Sequence, residues 1–298
     1  MSSLNYLIGQ NKEQFYLYFS AFFTLLVCLA FSSQTLLQII IIFGQAHFFI
    51  TYFYKNKSGK LDKKYIGNFL YLAFLLFFLT YFLVYNLAYV NYYIFLTTMI
   101  FVLHYFYDEL KIFNFSDKNF KSIAVLSVFA SFLSFFFVKV LGISVSAIWP
   151  LVFISLAMFF YLQFLLYKTS FSLKVKDNLA MYIFTSLNVL VPIVLMFTNV
   201  HMLKITAFII IFHYIRWYLY YYERFSTMVD KKELNFYLDV VLWLHILIVS
   251  LFVVYTIDTK NGFLYILFNP IFFYTWTLIH IFLSIRKEDY QFFLGNKI

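Results

Sequence analysis

The sequence predicts an all-α, polytopic integral membrane protein, a bundle of about ten transmembrane helices, and three observations predict it. Of 298 residues, 64% are hydrophobic and only 12% charged, whereas a soluble domain carries roughly a quarter of charged residues. The mean hydropathy is +0.84. The apolar residues gather in runs of about 17 to 25, the length that crosses a hydrocarbon core of roughly 30 Å. The ten-residue alternation of outer-membrane strands is absent, and in lipid only a helix pairs all of its backbone groups within one segment.

The runs, in chain order, are Phe15–Phe31, Thr35–Tyr54, Ile66–Leu87, Val90–Tyr107, Ile123–Val140, Val145–Tyr167, Leu179–Phe197, Met202–Tyr222, Phe236–Tyr255 and Phe263–Ile285. The first lacks a small-residue cleavage site after Phe31 and reads as a retained helix, not a signal peptide. The second ends at the lysine cluster Lys55, Lys57, Lys60, Lys63 and Lys64. Pro150, Pro192 and Pro270 fall in the sixth, seventh and tenth runs, where membrane helices tolerate kinks. No Gly/Ser linker or low-complexity tract divides the chain, so residues 1–298 read as a single transmembrane domain. Cys28 is the only cysteine, which excludes an intrachain disulfide and a cysteine metal knuckle.

Charge placement orients the bundle. With the N-terminus cytoplasmic, eighteen Lys and Arg fall in cytoplasmic segments, against Lys139, Lys204 and Lys260 on the other face; Arg216 lies within a helix. The positive-inside rule places both termini in the cytoplasm and accounts for the net charge of +9 without nucleic acid. Membrane lipids are the expected partners of the basic loops. A bacterial inner membrane is favoured over an organelle, although the abundance of 44 Phe and 27 Tyr also suits an AT-rich organelle genome.

In that topology every even-numbered helix runs from the outer face to the cytoplasm. His47, His104, His213 and His280 lie on the second, fourth, eighth and tenth, each near the cytoplasmic end. They stand eight, four, ten and six residues before the first cytoplasmic charge, or roughly 6 to 15 Å deep at about 1.5 Å per residue. Ionisable groups in the membrane interior are rare and mark sites, so the four imidazoles are candidate metal ligands; separate packing histidines are the bland alternative. An all-nitrogen donor set suits non-haem iron or another transition metal. Asp108 and Glu109, four and five residues after His104, can hold an imidazole tautomer or face interfacial water. Arg216 stays protonated and cannot be a ligand; it can pair with Asp108 or Glu109 or reach lipid phosphates. His245, on an odd-numbered helix, reads as a packing residue or as one bonded behind the cluster, and His201, in an outer loop, as solvated.

The order of these elements resembles the Brp/Blh family of membrane beta-carotene 15,15'-dioxygenases. Gly44 and His47 in FGQAHFFIT match the family's Gly-x-x-His element, and His104, Tyr105 and Glu109 in LHYFYDEL its His-aromatic element with a following acid. His213 and Arg216 in FHYIRW match His-x-x-Arg-His, and His280 in TLIHIF the late histidine. The resemblance spans about residues 36–285. Thr51 stands where the family has Asp, Trp217 where it has the second histidine of the third element, and Ile279 where it has proline.

The resemblance implies an oxygenase in which His47, His104, His213 and His280 bind iron, with Asp108, Glu109 and Arg216 beside the reacting groups. An isoprenoid, carotenoid or other lipid would enter from the bilayer, with Trp217, Trp276 and Tyr214 as candidate cavity walls. Two other readings stand beside it. One is a non-catalytic subunit of a larger membrane complex. The other is a haem-binding electron carrier, in which two of the four histidines would be left over. A transporter and a retinal-binding protein are disfavoured, since the chain has no obvious internal repeat and its final helices no buried lysine.

Overall fold

A computed structural model describes the backbone of residues 2–57, 63–85, 89–112, 118–169, 174–227 and 231–284. The expected segment ends Leu87 and Ile285, and the loop or tail cations Lys60, Arg286, Lys287 and Lys297, lie outside the described residues. No strand occurs among the described residues. The helices are α1 (Ser2–Ala30), α2 (Ser33–Lys57), α3 (Lys63–Tyr85), α4 (Val90–Ile112), α5 (Lys118–Lys139), α6 (Val145–Thr169), α7 (Lys174–Met196), α8 (Met202–Ser226), α9 (Lys231–Ile257), α10 (Gly262–Phe268) and α11 (Pro270–Ser284).

Six of them, α2, α4, α5, α6, α8 and α9, are long and apolar enough to cross a membrane, and the bent pair α10–α11 makes a seventh if counted as one span. These are the helices of a multi-pass membrane protein. Among the described residues Gln14–Ala30, Phe69–Leu83 and Met181–Met196 are shorter apolar helices, so the described residues do not establish the full count of ten.

The tenth expected span needs correction. Phe263–Ile285 is not one helix: it breaks at Asn269, and α10 and α11 meet at 66°. The cause is local. Pro270 has no N–H to return to the Ile266 carbonyl and suits the first position of a new helix. The Asn269 side chain accepts the Ile271 N–H at 2.9 Å, which withdraws that donor from Leu267. Two carbonyls thus lose their helical donors where water is scarce. Trp276 Nε1–H donates to the Ile266 carbonyl at 3.2 Å, and Gln45 Nε2–H, from α2, donates to the Leu267 carbonyl at 2.7 Å.

The described chain divides into two compact units. In the first, Met1–Val27 with Thr98–Ile209, α5 is central and packs on both α6 and α7. Small hydroxyls let these helices close on one another. Ser127 Oγ–H donates to the Ser155 carbonyl at 3.1 Å, Ser155 Oγ–H returns to the Ser127 carbonyl at 2.9 Å, and Ser131 reaches the Val189 carbonyl on α7. Gly142, at φ +66°, ends α5, a conformation that costs a residue with a Cβ.

In the second unit, Cys28–Thr97 with Ile210–Ile298, α2 is the hub and packs against α9, α10 and α11, while α11 also packs on α3. Ser32 caps α2 by accepting the Thr35 N–H at 3.2 Å. Hydroxyls of Thr80 on α3, Tyr93 on α4 and Thr275 on α11 bond one another in the buried interior. On α9, Leu242, Trp243, Ile246 and Leu247 are exposed, as expected for residues solvated by lipid chains.

Candidate metal centre

The second unit brings three of the four sequence-predicted histidines together. His47 on α2, His213 on α8 and His280 on α11 are each under 5% exposed. His47 Nε2 and His280 Nε2 face each other at 3.2 Å, their ring centroids 4.8 Å apart. The His213 ring lies edge-on to His47 at 5.7 Å. Two ring nitrogens on one ion at about 2.1 Å each stand roughly 3.0 Å apart at a right angle and roughly 3.4 Å apart in a tetrahedron. The 3.2 Å separation falls in that interval, so the facing nitrogens of His47 and His280 fit two positions on a transition metal ion.

Packing sets the rings. Gly44 lies one turn before His47, and a Cβ there would stand 2.5 Å from Phe273 Cε2 and 2.6 Å from the Tyr214 hydroxyl. Only glycine lets the α11 ring and the α8 phenol come this close to α2. Tyr214 in turn lies 5.1 Å from the His47 ring. Phe48 stacks on His280 at 4.7 Å and on Phe273 at 5.9 Å. Thr51 donates its hydroxyl to the His47 carbonyl at 2.8 Å, one turn back on its own helix. Ser284 does the same for His280 at 2.7 Å.

Trp217 closes the other side of His47. Its indole meets the His47 ring at 4.4 Å and 82°, edge to face. An aromatic wall therefore covers this side of the cluster, and Trp217 also packs on Tyr218 and Tyr221. Of the two other expected wall residues, Tyr214 also touches His47. Trp276 instead packs on Phe77 at 5.0 Å and ties the α10–α11 break.

No protein-family model, curated protein or solved structure matches the chain.

The remaining candidates divide between the units. Arg216, in the second, is 1% exposed and the largest fully buried side chain among the described residues. Its guanidinium keeps its charge in that interior. His104, Asp108 and Glu109 belong to the first unit. His104 Nε2 stands 3.5 Å from Asp108 Oδ2, one turn along α4, while Glu109 is 1% exposed. Beside them Tyr105 donates to Asn188 Oδ1 at 3.2 Å. His201 is exposed and its Nδ1 accepts the Leu203 N–H at 3.2 Å at the start of α8. The sequence gives His245 only a packing or supporting role. It bonds the Tyr218 hydroxyl through Nε2 at 3.3 Å and the Val241 carbonyl through Nδ1 at 2.7 Å. No sequence signal marks that pair, since it depends on how α8 and α9 are rotated toward each other.

Proposed function

We propose that the chain is a membrane-embedded metalloprotein in which His47 and His280, with the His213 ring beside them, hold a transition metal ion, non-haem iron first. On this reading it is an oxygenase acting on an isoprenoid, carotenoid or other lipid. The observation that carries the proposal is the 3.2 Å approach of His47 Nε2 to His280 Nε2, with the His213 ring against His47, in a buried aromatic setting. Without an ion, two neutral imidazoles meeting nitrogen to nitrogen satisfy a single N–H. An ion accepts both lone pairs. Iron in this donor set would supply redox and dioxygen chemistry.

The surrounding residues prepare the place. Phe48 fixes the plane of His280, Trp217 and Tyr214 screen His47 from water and offer apolar faces to a polyene or acyl chain, and Gly44 sets the distance between α2 and α11. In the first unit Asp108 is assigned to orient the His104 ring, with Glu109 buried one residue on; in the second, buried Arg216 is assigned as the charged group of the cluster's own interior. The basic loops and both termini are assigned to the cytoplasmic face by the positive-inside rule, where lipid headgroups are their partners.

Elemental analysis of the purified protein tests the proposal. Near-stoichiometric iron, copper or zinc is expected, and it should be lost in His47→Ala and His280→Ala. Protein that stays folded and monodisperse without any such metal, even after reconstitution, refutes the reading. With metal present, expression in a carotenoid-producing host should bleach the cells if carotenoid is the substrate.

A further inference from the structure

From the contacts at the α8–α9 crossing we infer that Tyr218 is a redox-active tyrosine: it gives an electron to a one-electron oxidant and, in the same event, its phenolic proton to His245. The tautomer decides the direction. The Val241 carbonyl only accepts, so the 2.7 Å contact obliges His245 Nδ1 to carry the proton. In the neutral ring Nε2 is then a lone pair, and the Tyr218 hydroxyl at 3.3 Å is its donor. A phenol in the membrane interior is difficult to oxidise unless a base takes its proton, because a charged phenol radical is poorly solvated there. His245 is that base, and Phe43 holds it by an edge contact at 5.3 Å.

Position supplies the second argument. Trp217 touches both the His47 ring, at 4.4 Å, and the Tyr218 ring, at 5.3 Å, and Tyr218 itself lies 6.3 Å from His47. An aromatic path thus joins the imidazole cluster to the Tyr218–His245 pair. The Tyr218 carbonyl accepts the Tyr237 hydroxyl at 3.3 Å, which fixes the backbone of α8 against α9 at this point. The balance is simple. The oxidant gains one electron, the Tyr218 O–H bond breaks, the proton forms an N–H bond at His245 Nε2, and a neutral tyrosyl radical faces an imidazolium whose Nδ1–H stays on Val241. In the cell the oxidant is an oxidised transition metal ion at the neighbouring histidines, so the physiological role rests on the proposed metal centre. The pair's own chemistry does not.

The experiment separates the two. Full-length, metal-free protein in detergent is oxidised with a photogenerated ruthenium(III) polypyridyl, and the radical is read by electron paramagnetic resonance, while metal content is measured on a separate, unstripped sample. A neutral tyrosyl signal is expected in the native chain and should be lost in Tyr218→Phe. His245→Gln keeps a hydrogen-bond acceptor but cannot take the proton, so it should lose the signal too. A merely structural tie would leave it intact. Should Tyr218→Phe fail to fold, 3-fluorotyrosine at position 218 keeps the hydroxyl and must add fluorine splitting to the signal. No tyrosyl signal in the native chain, full amplitude in Tyr218→Phe or His245→Gln, or an unsplit signal from the fluorinated chain overturns the inference. Absence of metal from the unstripped sample with the radical intact would overturn only the proposed metal centre.

Discussion

His47 on α2 and His280 on α11 meet nitrogen to nitrogen at 3.2 Å although 233 residues separate them. Each is positioned by a different device. His47 follows Gly44, which lets α2 approach its neighbours, and His280 is carried on a helix that begins only because Pro270 starts it afresh. The cluster thus depends on two features of backbone packing, and both are open to mutation.

Removing one imidazole should remove the ion, not the fold. His280→Ala leaves His47 without the nitrogen that faces it, and a site that loses one of its two facing ligands binds far more weakly. Metal per protein should drop to background while the thermal midpoint of the metal-free protein changes little. His201→Ala is the control, since that ring is exposed and serves only the start of α8. Equal loss in both variants would show that metal content follows something other than the cluster.

Gly44→Ala should destabilise the protein by overpacking, by about 1–3 kcal/mol. The new methyl would stand within 2.7 Å of two Phe273 ring atoms and the Tyr214 hydroxyl, so α11 or α8 must shift and the histidines with it. Gly67→Ala meets nothing within 4 Å. There the lost flexibility of glycine in a helix should make the change neutral or stabilising by up to about 1 kcal/mol. Thermal melts in detergent, read as a difference between the two variants, check the sign. A Gly44→Ala protein as stable as Gly67→Ala contradicts the close packing.

How far the sequence discloses this arrangement depends on what kind of information each feature needs. The apolar run Thr35–Tyr54 marks α2, observed as Ser33–Lys57, because run length is itself the physical requirement for crossing a bilayer. Depth along a helix is similarly readable, so His47, His213 and His280 are candidates before any coordinates exist. The break at Asn269 is different. Pro270 alone signals a kink that a membrane helix can tolerate, and the full separation also needs Gln45, 222 residues away, to take up the Leu267 carbonyl. The Tyr218–His245 bond is further out of reach, since the rotation of α8 against α9 leaves no periodic trace in either apolar run.

The hydroxyl cluster offers a measure of polar contacts in this interior. Thr275 bonds both Tyr93, at 2.8 Å, and Thr80, and it lies five residues before His280. Thr275→Val keeps the shape and removes the hydroxyl. Interhelical hydrogen bonds in membranes contribute about 0.6 kcal/mol on average and up to about 1.7 kcal/mol, so a loss of about 1 kcal/mol is expected in a denaturation experiment. Tyr93→Phe alone should cost a similar amount, and the double variant less than the sum, because the two residues share one network.

A stability effect as large as that of Gly44→Ala is expected at Gln45. Its amide answers the Leu267 carbonyl, left without its helical N–H by the break, and it does so from the turn that carries His47. Gln45→Leu fills the same space with apolar atoms but leaves a carbonyl unpaired where lipid and protein exclude water, at a cost of about 1–3 kcal/mol. The damage should also be local. With its tie to α2 gone, the α10–α11 corner can drift, and His280, ten residues along α11 from Pro270, drifts with it. Gln45→Leu should therefore lower both the thermal midpoint and metal occupancy. Trp276→Phe, which orphans the Ile266 carbonyl on the same corner but has no bond to α2, should lower the midpoint with a smaller effect on metal. Comparing the two variants tells whether the bond to α2 or the mere satisfaction of the broken helix holds His280 in place. Identical metal occupancy in both would assign that role to the corner alone.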